Sequence, residues 1–174
     1  MNVRKMARCA LAAALMCVCA WIAIPVGDTV FTMQTFALFL TLYLLGGKWG
    51  CAAIVVYLAL GMAGLPVFTG FRGGLGVLLG ATGGYIGGFL LCGVVYWLAS
   101  TLGKGKSWQL GGMALGMLCC YAAGTLWYAL GYLRGSGVGV GFVLARCVAP
   151  YVIPDAMKLI LAYRLALRLK RFVY

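Results

Sequence analysis

Six apolar runs follow one another along the chain, at about residues 7–25, 29–47, 49–66, 80–101, 110–133 and 148–169. A helix needs roughly 20 apolar residues to cross the hydrocarbon of a bilayer, so the pattern reads as six transmembrane helices. In 174 residues this leaves no room for a soluble domain. Only 9% of the residues are charged, and the mean hydropathy is +1.06, whereas a soluble domain carries about 25% charged residues. A chain this apolar would leave much of its greasy surface in water, so the solvent is a bilayer. The expected class is all-α, a polytopic integral membrane protein forming a single domain over residues 1–174. Arg4, Lys5 and Arg8 before the first run resemble the start of a signal peptide. That run continues to Pro25 and five more follow, so it reads as a span. Two of the joints are very short and imply antiparallel helix hairpins.

The charges set an orientation. Arg4, Lys5, Arg8, Lys48, Lys104, Lys106, Arg168, Lys170 and Arg171 fall at one set of span ends, nine in all. Arg72, Arg134 and Arg146 fall at the other set, with Asp28. Cytoplasmic loops carry the excess of Lys and Arg, so both termini are expected in the cytoplasm and segments 67–79 and 134–147 outside. The same dispersal argues against nucleic acid as the partner of a chain with net charge +12. Histidine is absent, and the only carboxylate side chains are Asp28 and Asp155. Most proton-transfer and metal chemistry needs more, so neither an enzyme nor a metal site is expected. The eight cysteines form no CxxC pair and read as small buried residues. Trp49, Trp97, Trp108, Tyr151 and Tyr174 lie near span ends, as an aromatic belt would place them.

Four segments stand out. The stretch from Gly64 to Gly88 holds ten glycines. Its first part, Pro66 to Leu79, is too rich in Pro and Gly for a good helix. Irregular backbone at membrane depth survives only when buried in protein or lining a cavity, so this part reads as a loop folded over a ligand. Gly80, Gly84 and Gly88, with Gly83 and Gly87 beside them, form a small-residue face for close helix packing. A phosphate loop is excluded, because these glycines do not lead directly into a G-K-[ST] and no strand precedes them. The second segment is CVAPYVIPDAMKLILAYRL, which places Asp155 inside the sixth run. A lone carboxylate at mid-helix costs about 2.5–3.5 kcal/mol and marks a functional site by default. Its partner is Lys158, three residues on and on the same helical face. Pro150 and Pro154 are expected to break the helix before the pair. A plain ion pair and the polar end of a ligand cavity are both consistent with this pattern. The third segment is TVFTMQTF, where Thr32, Gln34 and Thr35 suit either helix packing or ligand contact. The fourth is the first run, in which Ala7, Ala10, Ala13 and Ala14 form a face for close packing.

Taken together, TVFTMQTF, YLALGMAGLPVFTGFRGGLGVLLGATGGYIGGFLL and PYVIPDAMKLILA resemble the signature segments of the BioY family. That family comprises the biotin-binding S components of energy-coupling-factor (ECF) transporters. The order and spacing match across nearly the whole chain. Ala81 departs from the family's usual Pro in G-P-T-G-G-Y, and Phe71 and Arg72 occupy a variable stretch. The resemblance implies a six-helix substrate-binding subunit in a prokaryotic cytoplasmic membrane, taking up biotin. It also implies partnership with a transmembrane coupling protein and two ATPases, with no cofactor held by the chain and ATP used by the partners. By the same resemblance Asp155 and Lys158 bind the vitamin, and Ala10 and Ala14 face the coupling protein. In this reading Asp155 accepts the ureido N–H groups and Lys158 donates to a ligand oxygen. Tyr85, Trp127, Tyr128 and Phe68 are candidate apolar walls, and Arg72 is the candidate for the valerate carboxylate. Thr35 and Gln34 complete the expected site. An S component for another vitamin and a membrane scaffold without ligand are the rival classes. The glycine loop and the Asp155–Lys158 pair argue against the scaffold, and affinity separates the vitamins.

Overall fold

The computed structural model describes residues 3–27, 29–103, 105–132 and 139–173. Asp28, Lys104, Arg134 and Tyr174, used in the charge and belt readings, lie outside the described residues. The chain is mostly helical, with α1 (Val3–Trp21), β1 (Ala23–Val26), β2 (Thr29–Thr32), α2 (Gln34–Met62), α3 (Leu75–Leu79), α4 (Gly83–Leu102), α5 (Lys106–Tyr132), α6 (Val140–Cys147) and α7 (Ala149–Val173). The all-α expectation is corrected at one place. The first apolar run does not stay helical to Pro25, because a proline disfavours helix in the residue before it and lacks an N–H. Residues 23–26 and 29–32 instead pair as an antiparallel ribbon, Ala23 opposite Thr32 and Pro25 opposite Val30.

Among the described residues four helical stretches are long and apolar enough to cross a membrane: Gln34–Met62, Gly83–Leu102, Lys106–Gly131 and Val140–Arg171. The difference from the expected six has two local causes. Helix α1 carries Arg4, Lys5 and Arg8 within its span. Stretch α2 is not one straight helix. Gly46 has φ 74° and ψ 173°, a conformation open to glycine. A Cβ on Gly50 would lie 3.2 Å from Leu42 Cα, and the Gln34 amide reaches the Tyr57 hydroxyl at 2.6 Å. In a straight helix those last two residues would stand about 35 Å apart. The chain therefore reverses at Gly46, and its two arms pack antiparallel, as the short joint near Lys48 implies.

The tightest helix pairing is α4 on α5. Cβ atoms added at Gly88 and Gly116 would lie 2.8 Å from Cys120 Sγ and 2.7 Å from the Cys92 carbonyl oxygen respectively. Gly84 meets Trp127, and Gly124 meets the Tyr85 ring. Small residues thus oppose one another on both helices, which lets the backbones approach closely. The small-residue face read from sequence is narrower than expected on α4. Gly80 caps α3 in an extended conformation, outside the helix, and Gly87 has open space beside it. The matching stripe on α5, Gly112, Gly116, Cys120 and Gly124, completes the seam.

Two further expectations change. Pro154 does not break the last helix, since α7 runs through it. The break comes earlier, at Val148 (φ −120°, ψ −56°) between α6 and α7. Pro150 then falls in the first turn of α7, where a missing N–H leaves no helix bond unmade. On α1, Ala7, Ala10 and Ala14 are exposed, whereas Ala13 is buried in the core beside Met16. Ala13 therefore belongs to the buried side of α1, about a quarter turn from the exposed small residues.

Candidate ligand-binding site

The N-terminal arm of α2, the start of α4, the second half of α5 and the start of α7 surround a cavity of about 390 Å³. That size lies within the range of small-molecule pockets. The β1–β2 ribbon contributes Thr29, Val30 and Thr32 to its wall, and segment 63–74 contributes Phe68, Thr69 and Arg72. Both are irregular or edge structures whose backbone needs partners inside the protein. The ribbon is held by Tyr151, whose hydroxyl donates to the Val30 carbonyl at 3.1 Å and whose ring meets Phe31.

Segment 63–74 is pinned at three points. The Phe68 N–H donates to the Arg72 carbonyl at 2.9 Å, and the Gly74 N–H donates to the Gly61 carbonyl at 2.7 Å. Trp21, at the end of α1, donates its indole N–H to the Pro66 carbonyl at 2.7 Å and stacks on Phe71. Phe71 has φ +56°, an uncommon conformation for a residue with a side chain. Beneath the segment the Gln34 amide donates to Tyr57 at 2.6 Å, and the Tyr57 hydroxyl donates to the Val67 carbonyl at 3.2 Å. Gln34 is therefore a support for the loop as well as a lining residue. The expectation of irregular backbone from Pro66 to Leu79 holds as far as Gly74, beyond which α3 forms one short helix.

The polar centre of the cavity is Asp155, only 4% exposed. Its Oδ1 accepts from Thr35 Oγ1 at 2.7 Å and from Lys158 Nζ at 2.9 Å. Its Oδ2 accepts from the Tyr121 hydroxyl at 2.6 Å. Lys158 Nζ also donates to Thr35 Oγ1 at 3.1 Å. A carboxylate buried without partners would be strongly disfavoured, and here a cation and two hydroxyls compensate it. The i,i+3 spacing within α7 brings Asp155 and Lys158 together, as read from sequence. The two hydroxyls come from α2 and α5, far along the chain.

The cavity brings together Asp155, Lys158, Thr35, Gln34, Tyr85, Arg72 and Phe68. Tyr85 is oriented by Thr125, its hydroxyl 3.3 Å from Thr125 Oγ1. Arg72 sits at the exposed rim with its Nε donating to the Thr69 carbonyl at 3.2 Å. Trp127 and Tyr128 do not line the cavity. Trp127 is turned away from the Tyr121 face of α5; it packs on Gly84 and donates to the Gly80 carbonyl at 3.0 Å. Tyr128 shares the Tyr121 face but lies two turns, about 10 Å, further along. Sequence reasoning missed Tyr121, Tyr151 and Arg146, all of which line the cavity. Tyr121 is flanked by cysteines and alanines with no polar neighbour to single it out. Arg146 was counted only as a loop charge.

The profile of the BioY family matches residues 1–174. The chain belongs to the BioY family. It is 40% identical over 170 residues to the biotin transporter BioY of Thermotoga maritima, covering 97% of this chain and 96% of that protein. It is 36% identical over 170 residues to the probable biotin transporter BioY of Pyrococcus horikoshii, covering 98% of each. The fold matches a crystal structure of the S component for biotin from an ECF-type ABC transporter, with TM-score 0.82 and 24% identity, over 97% of this chain and 92% of that one. Membership of BioY accounts for the signature segments quoted above, and the structure gathers parts of all three around one cavity.

Proposed function

We propose that this chain binds biotin and serves as the substrate-binding subunit of an ECF-type transporter, without catalytic chemistry of its own. The observation that carries the reading is the pairing of buried Asp155 with half-buried Lys158 inside a cavity of small-molecule size. A carboxylate and an ammonium side by side supply an acceptor and a donor for a neutral polar head bearing N–H and C=O. Phe68, Ile86, Phe89 and Met117 supply apolar wall for the rest of a ligand. Arg72 and Arg146, the two guanidinium groups on the lining, suit a carboxylate tail.

The chain crosses a prokaryotic cytoplasmic membrane six times with both termini inside. Helix α1, the two arms of α2, α4, α5 and α7 are the six crossings. The arms of α2 are short for a bilayer, and the β ribbon and segment 63–74 make up the remaining depth around the cavity. The exposed Ala10 and Ala14 present a face on which the helix of a coupling protein can pack closely. That protein and two ATPases supply the energy for release.

Titration calorimetry of the purified chain tests the reading, with biotin compared against other vitamins such as thiamine and riboflavin. Saturable binding of biotin alone is expected. Tight binding of a different vitamin, or of none, overturns it. Mass spectrometry of co-purified ligand is an independent check.

A further inference from the structure

Arg72 is carried on a tight turn. Its carbonyl accepts from the Phe68 N–H at 2.9 Å, which closes the turn across its neck. Between those two residues Gly70 has φ +73° and Phe71 has φ +56°. Two successive positive φ values are what a type I′ turn requires, and glycine, asparagine and aspartate suit them. Phe71 therefore stands where a large side chain is disfavoured, and such a conformation persists only when the surroundings hold it. One ring that holds it comes from α1. Trp21 stacks on Phe71, with ring centroids 5.1 Å apart and planes at 24°. The same indole donates its N–H to the Pro66 carbonyl at 2.7 Å, at the foot of the segment. Phe71 is 64% exposed and lies against Trp21, while the next side chain, Arg72, lines the cavity. The Arg72 Nε donates to the Thr69 carbonyl at 3.2 Å within the turn, which leaves the end of the guanidinium fork for a ligand. Trp21 itself is not part of the lining.

We propose that Trp21 is a positioning residue for the carboxylate end of the ligand: its stack on Phe71 holds the strained turn, and the turn aims Arg72 into the cavity. Bidentate pairing of a guanidinium with a carboxylate is sensitive to placement, so loss of the stack weakens the reading of an anionic tail more than the holding of the neutral head. The inference rests on the biotin reading above and on Arg72 as a partner of the tail. It gives the end of α1 a part in ligand selectivity although α1 contributes no side chain to the cavity.

The test uses the purified chain and calorimetry with biotin and biotinamide, in which a neutral amide replaces the carboxylate. The parent should prefer biotin by about tenfold or more, since a hydrogen bond to a charged group is lost with the amide. Arg72→Gln should shrink that preference, and Trp21→Ala should shrink it by about threefold or more while biotinamide affinity stays within about threefold of the parent. Trp21→Phe keeps a ring on Phe71 and should keep the preference. Phe71→Leu removes the stack from the exposed side, leaves α1 intact and should act like Trp21→Ala, so the test survives a Trp21→Ala chain that does not fold. Adding Phe71→Gly to Trp21→Ala should restore the preference, because a Gly-Gly turn keeps these φ values without support. A merely structural Trp21 would weaken both ligands alike and leave their ratio unchanged, and that result in Trp21→Ala or in Phe71→Leu overturns the proposal. A parent that binds biotin and biotinamide equally, or an Arg72→Gln variant with the parent's preference, overturns it through Arg72. A parent that binds neither ligand defeats the biotin reading and this inference with it. If the parent and Arg72→Gln behave as expected and the ratio is unmoved at positions 21 and 71, only the role of Trp21 fails.

Discussion

Replacing Asp155 by Asn keeps the side-chain shape and removes the charge. The retained oxygen can stay at the Oδ1 position, where it faces Lys158 and Thr35. The new NH₂ then takes the place of Oδ2, and the Tyr121 hydroxyl turns from donor to acceptor toward it. The local network is thereby conserved and the variant folds. Lys158 loses its counter-charge, but its ammonium borders the cavity and keeps Thr35 Oγ1 as an acceptor. The ligand meets a different surface, because Oδ2, which accepts from Tyr121 with a second lone pair to spare, is replaced by a donor. A hydrogen bond to a charged group contributes about 1.5–3 kcal/mol, and about 1.4 kcal/mol is one decade in Kd. Biotin affinity should thus fall by roughly ten- to a hundredfold. Calorimetry on monodisperse protein reads this directly, with Asp28→Asn as the control at the chain's other acidic side chain. A Kd for Asp155→Asn within about threefold of the parent, a shift under 1 kcal/mol, refutes the reasoning and leaves the pair a structural ion pair.

Three further outcomes are expected. Ala14→Trp on the exposed face of α1 should leave biotin binding by the isolated chain intact while ATP-driven uptake by the assembled transporter falls; loss of binding by the isolated chain would place this face inside the fold. Gly116→Val drives a side chain into the Cys92 backbone carbonyl, 2.7 Å from the added Cβ, and should destabilise by about 1–3 kcal/mol, lowering Tm in a thermal-shift assay. Gly87→Ala, with open space beside it, should not lower Tm, and equal effects would mean the α4–α5 seam is loosely packed. In a cysteine-depleted background, an impermeant thiol reagent should label position 72 in intact cells and position 105 only after permeabilisation, and the reverse pattern would invert the orientation.

Much of the site was legible locally. Asp155 and Lys158 are three residues apart, and helical spacing alone puts them on one face. The segment after Pro66 announced itself through glycines that a helix would not keep, and Thr35 and Gln34 through polarity at the start of an apolar run. Other parts were illegible for specific reasons. Hydropathy cannot distinguish a helix from a strand in a short apolar run, so the β ribbon at residues 23–32 was hidden inside two expected spans. Aromatic residues on α5 recur on several faces, and without knowing which face meets α4, Trp127 and Tyr128 were as plausible as Tyr121. The packing of Gly84 against Trp127 settles that rotation and turns Trp127 away, whereas Tyr128 is left out by its distance along the helix.

Lipid as solvent, the bias of basic residues toward one set of helix ends, and the pairing of a carboxylate with an ammonium one turn away all follow from composition and short-range spacing. They are properties of the chain that need no knowledge of which helix neighbours which. The three-dimensional fold alone determined that Thr35, from 120 residues away, and Tyr121, from 34 residues away, complete the shell around Asp155. It alone set the two arms of α2 so that Gln34 and Tyr57 meet and support the loop over the cavity. The physical reason is that hydrogen bonds and close packing act over a few ångströms. Which distant groups come within that range depends on how each helix is rotated and set against its neighbours, and small residues at the seams permit that setting without announcing it in the chain.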